Sequence, residues 1–338
     1  MKSRFGVKIT VMVCALVVLM LVSACIGRYM IGFRQTADVL RTVFGGGESR
    51  YPAAYAVLTA VRLPRILCAV LIGAALSAAG TAFQGIFRNP MVSPDLLGAS
   101  AGAGFGAALG FLLGLSGAAV WALSFIGGIA AVGVTCLIGG AVLKSADDGK
   151  MTFMLCGIIT GSLFQALISL VKYAADPFDT MPSISFWLMG GLTYITARGV
   201  LPLALPVIIG LIPLLLIRWR INILSLSRDE AQSMGLRTGL FKAVIILSAT
   251  LMTAACVAAG GMIGWIGLVI PHIARMIAGA DYRRLLPCAV LLGAIFMLAV
   301  DDIARCAFAQ ELPIGILTAI IGAPIFIRLL AAQRGTQV

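Results

Sequence analysis

The chain has 338 residues, of which 61% are hydrophobic and only 11% are charged. A soluble domain carries roughly 25% charged residues, so this composition excludes an ordinary water-soluble enzyme or binding domain and predicts an all-α protein that spans a membrane. The net charge of +12 would suggest nucleic acid as the partner of a soluble protein, but here it fits Lys and Arg residues that flank membrane spans.

Long apolar runs predict about ten transmembrane helices, since a helix needs roughly 20 apolar residues to cross the hydrocarbon core. In chain order, the predicted spans are residues 8–27, 63–86, 96–114, 117–143, 152–174, 198–217, 240–260, 262–277, 285–306 and 314–331. The eighth is short and rich in glycine, so it need not cross fully. The polar gaps are too short for a second domain, which predicts one transmembrane domain over residues 1–338.

The distribution of basic residues predicts the orientation of the chain. An even number of spans puts both termini on one side, and the excess of Lys and Arg in the gaps on that side predicts that it is the cytoplasm. One segment on the predicted outer side breaks this trend with six arginines: Arg28, Arg34, Arg41, Arg50, Arg62 and Arg65. This basic outer rim is not required by the orientation rule, which indicates a function of its own.

The first apolar run ends in Val22-Ser23-Ala24-Cys25, which resembles a bacterial lipoprotein cleavage site. The alternative is an uncleaved first span, which the many spans that follow favour. All eight Cys residues lie in apolar runs without a C-x-x-C pair, so they are interpreted as small core residues and not as a metal or disulfide framework. His272 is the only histidine, and neither a metal site nor a cofactor is predicted.

Glycines of the third predicted span recur every four residues: Gly98, Gly102, Gly106, Gly110 and Gly114. On one helix they would form a nearly straight ridge that lets another backbone approach closely. Lipid does not drive helices together hydrophobically, so the pattern predicts that this span packs among other helices. The alternative is a general enrichment of glycine in membrane helices.

Two segments on the predicted cytoplasmic side have distinct patterns. Residues 87–95 contain two prolines and an asparagine, which favour a fixed turn. Residues 218–240 form the longest charged gap on this side, and Ser227, Arg228, Asp229 and Glu230 match a capping box.

The capping box predicts a short surface helix that ends near Gly235, a natural helix stop. This helix would display Ala231 and Met234 among polar groups. From the residues alone, it is equally a plain connector or a handle for a soluble partner.

Six stretches, in this order, resemble the FecCD family, the permease subunits of ABC importers for ferric siderophores, haem and cobalamin. They are RLPR at 62–65, QGIFRNPM at 84–91, LGASAG at 97–102, GWIGLVIPHIAR at 264–275, DYRRLLP at 281–287 and ELPIGILTAIIGAP at 311–324. The resemblance runs from about residue 55 to residue 330. Each stretch alone is a weak signal, but six in the same order are specific.

The resemblance implies a ten-span fold of the type II ABC importer kind in a bacterial or archaeal cytoplasmic membrane. It also implies that two permeases, with a second copy of this chain favoured, pair around a central path. Two cytoplasmic ATP-binding subunits would bind on one side and an extracytoplasmic substrate-binding protein on the other. The Ser227–Gly235 segment matches the family's coupling helices, which are seated in a cleft of the ATPase.

In the family, arginines that match Arg62, Arg65 and Arg305 receive glutamates from the two lobes of the binding protein. The chemistry is suitable, because a guanidinium binds a carboxylate through two donors and stays charged. Two alternatives remain open. Arg62 and Arg65 could anchor the second span at lipid headgroups, and Arg305 could pair with Asp301 one helical turn earlier.

The resemblance also predicts gates. Asn89 and Met91 match positions near the cytoplasmic gate, where Met91 replaces the more usual leucine, and a simple turn is the alternative. The segment 184–190 is expected near the outer gate.

Five charges lie near the predicted outer ends of the fifth and ninth spans: Lys172, Asp176, Asp179, Asp301 and Asp302. Asp301 and Asp302 are expected to be exposed at the membrane interface, and Lys172, Asp176 and Asp179 are expected on a solvated vestibule wall. Direct contact with a substrate is the alternative.

The leading hypothesis is a transport subunit without chemistry of its own. The sequence lacks a G-x-x-x-x-G-K-[ST] phosphate loop, so ATP would be hydrolysed by another subunit. The predicted cargo is an iron complex or haem, with cobalamin or an oxyanion such as molybdate as the alternative.

Two other classes were compared with this hypothesis. An ion-coupled transporter would need carboxylates at mid-depth in the membrane. An intramembrane aspartyl protease would need two carboxylates that share a proton, whereas Asp301 and Asp302 are adjacent on one helix.

Overall fold

The computed structural model describes residues 2–27, 29–142, 149–226, 230, 234, 238–307 and 310–334. All regular secondary structure within these ranges is helical. This confirms the all-α class predicted from the apolar composition. Helices suit a lipid environment because a helix satisfies its backbone hydrogen bonds without water.

The helices of the first half are α1 (Lys2–Cys25), α2 (Phe33–Gly45), α3 (Pro52–Val57), α4 (Leu63–Phe87), α5 (Ala99–Leu112), α6 (Gly117–Val142) and α7 (Gly149–Ala174). Those of the second half are α8 (Thr180–Leu188), α9 (Ala197–Leu224), α10 (Thr238–Gly260), α11 (Ile266–Ala278), α12 (Tyr282–Cys306) and α13 (Ile314–Arg334). A π-helical turn, Leu58–Arg62, joins α3 to α4, and a 3₁₀ turn, Pro94–Leu97, precedes α5.

Seven helices in the described part of the chain are long and apolar enough to cross a membrane: Phe5–Cys25, Pro52–Phe87, Gly117–Ala141, Met151–Ala174, Ala197–Leu224, Thr238–Gly260 and Tyr282–Cys306. The apolar helices Ala99–Leu112 and Ile266–Ala278 coincide with the third and eighth predicted spans but are shorter. Helix α13 covers the tenth predicted span, and its apolar stretch, Ile314–Leu329, ends two residues before that span does. At about 1.5 Å per residue, α5 covers only about 21 Å of a core that is about 30 Å thick. The predicted count of ten full spans is therefore not confirmed.

Helix α4 lies at the centre of the bundle, packed against α12 at a place where both backbones come into contact. A Cβ atom added at Gly73 would overlap the carbonyl oxygen of Gly293, and one at Gly293 would overlap that of Gly73. The Ser77 hydroxyl donates to the carbonyl of Ala289 at 2.7 Å. These contacts bring the amino end of α4 beside the carboxyl end of α12, which positions the charged residues described below.

The glycines of α5 pack against α6. Cβ atoms added at Gly102 and Gly106 would overlap the carbonyl oxygens of Gly127 and Leu123, and one at Gly110 would lie 3.1 Å from Val120. Close backbone approach of this kind is how small residues associate helices in lipid.

The ridge is shorter than the predicted run of five glycines, because α5 begins at Ala99 and ends at Leu112. Gly98 precedes the helix with a φ of +82°, and Gly114 follows it with a φ of +63°. Among the described residues, a Cβ atom at Gly114 would meet nothing within 4 Å. These two glycines therefore lie in the turns at the ends of the helix and not on the face that packs against α6, and a Cβ atom at Gly98 would lie 3.3 Å from the backbone nitrogen of Gly161 on α7.

The chain is not helical between α10 and α11, beside the middle of α4. Gly260 lies against Ile72, and a Cβ atom added at Gly80 would overlap the carbonyl oxygen of Gly267. Gly261 and Trp265 both have positive φ angles, +70° and +69°. Irregular backbone at this depth is tolerated only where protein buries it or where it lines a cavity. We refer to residues 261–265 as the mid-depth break.

Candidate functional site: a buried charge cluster and a mid-depth cavity

Arg65 joins three parts of the chain at one end of the bundle. Its Nε donates to both carboxylate oxygens of Asp301, at 3.0 and 3.1 Å, and Nη2 lies 2.9 Å from Oδ1. Its Nη1 donates to Oε2 of Glu311 at 2.9 Å. The guanidinium thus links α4, α12 and the segment that precedes α13 through charge-assisted hydrogen bonds.

Arg305 joins α12 to α1. Its Nη2 donates to the carbonyl and the hydroxyl of Ser23, both at 2.6 Å, and its Nε donates to Oδ1 of Asp302 at 3.2 Å. The Ser23 hydroxyl donates to the same Asp302 oxygen at 2.7 Å. The predicted pair with Asp301 is present only at 4.0 Å, so Asp302 is the principal partner.

Arg62 binds the end of α1. Its Nη1 donates to the carbonyls of Ala24 and Cys25, at 2.6 and 3.1 Å, and its Nη2 donates to that of Tyr29. A cation beside the last carbonyls of a helix is favourable for the helix dipole. The side chain is only 4% exposed, so in this conformation it does not offer a free cation to lipid headgroups.

These side chains form a balanced group that we call the charge cluster: Arg62, Arg65, Arg305, Asp301, Asp302 and Glu311. Three cations and three anions give it no formal net charge. A buried charge is tolerated when it is paired or hydrogen-bonded. Arg65 and Arg305 are paired with carboxylates, whereas Arg62 is hydrogen-bonded to backbone carbonyls.

The expectation that Asp301 and Asp302 are exposed at the interface is wrong. Asp301 is 0% exposed and the side chain of Asp302 is 15% exposed. The reason is that α12 packs between α1 and α4, where the Arg65 and Arg305 guanidiniums replace the water that the carboxylates would otherwise need.

Glu311 was missed by the sequence analysis, where it served only as the first residue of a family stretch. Its Oε2 accepts a second hydrogen bond from the Thr193 hydroxyl at 2.8 Å. Its neighbour Leu312 donates its backbone N–H to the Ala304 carbonyl at 3.1 Å. A carboxylate just after a span and just before Pro313 was the available signal, but it does not indicate the two partners.

The end of α8 and the start of α13 are joined through backbone contacts. Ile314 and Gly315 donate their N–H groups to the carbonyls of Gly190 and Met189, at 2.9 and 3.2 Å. The Gly191 N–H donates to the carbonyl of Gly260 at 2.7 Å, and Gly260 directly precedes the mid-depth break. We call this meeting point the α8–α13 junction; it includes the end of the predicted outer-gate segment 184–190.

A cavity of about 560 Å³ lies beside the mid-depth break. Its polar lining comes from Asp95, Ser100, Ser162 and Gln165, and the rest is small or apolar. The Ser100 hydroxyl donates a hydrogen bond to Oδ1 of Asp95. The cavity therefore offers a few hydrogen-bonding groups on a wall that is otherwise small or apolar.

The predicted gate residues lie in a turn after α4. Arg88 ends this helix with a φ of +53°. The Asn89 side-chain oxygen accepts from the Met91 backbone N–H at 2.9 Å, which is an Asx turn. Met91 is exposed. The turn is as fixed as its composition suggested, and its role as a gate stays a prediction.

Most of the predicted coupling segment lies outside the described residues, namely Ser227, Arg228, Asp229, Ala231 and Gly235. Glu230 and Met234 are described, and both are exposed. The Met234 N–H donates to the Glu230 carbonyl at 3.2 Å, the spacing of a helical turn.

The predicted vestibule charges lie where α7 leads into α8. Asp176 Oδ1 accepts from the backbone N–H groups of Phe178 and Asp179, at 2.8 and 3.0 Å, and both aspartates are exposed. Lys172, in the last turn of α7, is half-buried. Within the described part of the chain, no His, Cys, Asp and Glu side chains are grouped to hold a metal ion.

Known proteins resemble this chain over nearly its whole length. The molybdate import system permease protein MolB of Haemophilus influenzae is 38% identical over 325 residues, which is 96% of this chain and 94% of that protein. The Fe(3+) dicitrate transport system permease protein FecC of Escherichia coli is 36% identical over 86% of this chain and 87% of that protein. The vitamin B12 import system permease protein BtuC of Klebsiella pneumoniae is 37% identical over 81% and 82%, respectively.

A solved structure has the same fold. An ABC transporter described as being of the metal-chelate type, in an inward-facing conformation, matches with a TM-score of 0.85 and 36% identity, over 97% of this chain and 99% of that chain. These relatives are permease subunits and not catalytic enzymes, since ATP hydrolysis lies in a separate subunit of such transporters. The family model for the FecCD transport family matches residues 15–332. The chain therefore belongs to the FecCD transport family.

Proposed function

We propose that this chain is the permease subunit of an ATP-driven importer and that two copies of it form the translocation path. The observation that carries this proposal is the mid-depth break with its cavity. Irregular backbone beside the middle of α4 is costly in lipid unless it lines a path or is covered by protein. The Asp95, Ser100 and Gln165 side chains supply weak polar contacts along such a path.

In the proposed orientation, the charge cluster faces the outside and both termini face the cytoplasm. The excess of Lys and Arg on the opposite side supports this orientation. The extracytoplasmic binding protein would then dock over Arg62, Arg65 and Arg305 through its carboxylates. All three guanidiniums already have partners within the chain, so docking requires an exchange of partners and not a simple addition.

On the cytoplasmic side, two copies of an ATP-binding subunit would seat the segment 218–240, with Glu230 and Met234 on its exposed surface. In the proposed cycle, ATP binding closes the ATPase pair and pushes on this segment. Helices α7 and α13 then tilt, and one gate opens as the other closes, with Asn89 and Met91 at the cytoplasmic gate. The likeness to an inward-facing ABC transporter supports such a cycle.

For the cargo, we propose an iron complex such as a ferric siderophore, or haem. The likeness to the ferric dicitrate permease FecC supports an iron complex. A second candidate is molybdate, favoured by the resemblance to MolB over 96% of this chain, and cobalamin is supported in the same way by BtuC. In our proposal the binding protein selects among these cargoes.

The test is to purify the chain with its co-expressed ATPase in lipid nanodiscs and to measure ATP hydrolysis. Binding proteins loaded with a ferric siderophore, haem, cobalamin or molybdate are added in turn. We expect one loaded binding protein to stimulate hydrolysis several-fold and the corresponding cargo to enter proteoliposomes only with ATP. Uptake in vesicles that contain this chain alone would overturn the proposal and favour an ion-coupled transporter.

A further inference from the structure

Arg65 is shared unequally between two carboxylates. Asp301 is fully buried and is bound by two nitrogens of the guanidinium, Nε and Nη2, whereas the contact of Arg65 with Glu311 is made through Nη1. The side chain of Glu311 is 23% exposed, the most of the three acids in the charge cluster. An external carboxylate can therefore reach the place of Glu311 more easily than that of Asp301.

The energetic consequences of the two exchanges also differ. Displacing Asp301 would leave a buried carboxylate without its bidentate partner, which is strongly unfavourable. Displacing Glu311 exchanges one charge-assisted hydrogen bond for another, and the released carboxylate is already partly hydrated. Glu311 also lies on a connecting segment and not within a helix, so its release leaves α4 and α12 joined through Asp301.

Glu311 binds a second residue besides Arg65. It accepts from Thr193, which lies three residues after Gly190 in the connection from α8 to α9. Gly190 in turn accepts from Ile314 at the start of α13, three residues after Glu311. Glu311 therefore closes a ring of contacts that joins the charge cluster to the α8–α13 junction, beside the mid-depth break.

We propose that Glu311 is an exchangeable internal carboxylate whose place on Arg65 is taken by a carboxylate of the docked extracytoplasmic binding protein. When Glu311 is released, Thr193 loses its acceptor, and the α8–α13 junction is freed to separate. Docking at one end of the bundle thereby weakens the contacts of the α8–α13 junction beside the cavity. This inference rests on the proposed function and adds a positioning residue to it.

The test uses the complex with its ATPase in nanodiscs and the binding protein that co-purifies with the unmodified complex. Three variants are compared: Glu311→Gln, Thr193→Val and, as a matched control, Glu48→Gln, which removes an exposed carboxylate from the loop between α2 and α3. Two quantities are measured, namely the Kd for the binding protein and the rate of ATP hydrolysis without it.

Glu311→Gln is expected to lower the Kd about threefold to tenfold, because the incoming carboxylate no longer competes with an internal one. It is also expected to raise hydrolysis in the absence of the binding protein. Thr193→Val is expected to raise hydrolysis and to lower the Kd less than Glu311→Gln does, because it weakens the hold on Glu311 but leaves that carboxylate on Arg65. Glu48→Gln is expected to change neither quantity.

The inference is overturned if Glu311→Gln leaves both quantities equal to those of Glu48→Gln, or if it weakens binding. If Glu311→Gln does not assemble, Glu311→Asp keeps the charge but shortens the reach and provides the same comparison. Failure of the proposed function would give a different result, because no binding protein would then stimulate ATP hydrolysis even by the unmodified complex.

Discussion

Arg65 is the residue on which the charge cluster most depends, because it is the bidentate partner of a fully buried carboxylate. Without it, the cation left beside Asp301 among the described residues would be the Arg305 guanidinium at 4.0 Å. Removing one member of a buried ion pair typically costs about 3–5 kcal/mol, most of which reflects the charge that is left unpaired.

We therefore expect Arg65→Ala to lower the unfolding temperature of the detergent-solubilised protein markedly, by an amount that corresponds to about 3–5 kcal/mol. Adding Asp301→Asn should recover part of the loss, because it removes the unpaired charge. The matched control is Arg41→Ala, which removes an exposed guanidinium on α2. Equal unfolding temperatures for Arg65→Ala and Arg41→Ala would show that the pair contributes little.

For individual residues, the sequence indicated which residue types have a function but not which side chains surround them in the fold. Arg62 and Arg65 stood out because basic residues on the predicted outer side are unexpected, and Arg305 was named only through the resemblance to the family. The burial of Asp301 and the role of Glu311 could not be predicted. The periodicity of α12 gives the face on which Asp301 lies, but not that Arg65 of α4 is opposite that face.

Among the helices, the contact between α5 and α6 depends on the absence of side chains. Gly106 is the clearest case, since any Cβ atom there would overlap the backbone of Leu123. Gly133, on α6, provides a control, because among the described residues a Cβ atom there would meet nothing within 4 Å.

We expect Gly106→Val to destabilise the protein by about 1–3 kcal/mol through overpacking, and Gly133→Val to have little effect. Both changes introduce the same side chain into a helix, so the difference between their unfolding temperatures isolates the contact with α6. A loss as large for Gly133→Val would contradict the packing argument and indicate an effect of valine on helix formation.

The helices themselves were largely predictable, because long apolar runs indicate where the chain can cross lipid. The lengths of the helices were less predictable. Helix α5 stops at Leu112, and the mid-depth break shortens α11 at its start, where Trp265 has a positive φ. Such departures from regular helix depend on neighbouring backbone, as at the contact of Gly261 with Trp187, which no local pattern reveals.

At the scale of the whole molecule, the proposed orientation places the charge cluster and residues 218–240 on opposite sides of the membrane. Two exposed residues test this arrangement, Phe33 at the start of α2 and Met234. The exposed native cysteines, Cys14, Cys136 and Cys306, would first be replaced by serine.

We expect a membrane-impermeant maleimide to label Phe33→Cys in intact cells and Met234→Cys only in inside-out vesicles. The reason is that Lys and Arg near the ends of spans are retained in the cytoplasm. The reverse labelling pattern would invert the proposed orientation, and with it the places of the ATPase and the binding protein.

The sequence by itself determined that this is a helical membrane protein of the FecCD transport family, because composition, apolar runs and six ordered stretches are properties of the chain alone. Only the tertiary structure decided that Arg65 and Arg305 are buried and paired with carboxylates, that Glu311 joins Arg65 to Thr193, and that a break in the helices lines a cavity. The physical reason is that pairing and close backbone contact are formed between helices far apart in the chain. Their partners are set by how the whole bundle packs.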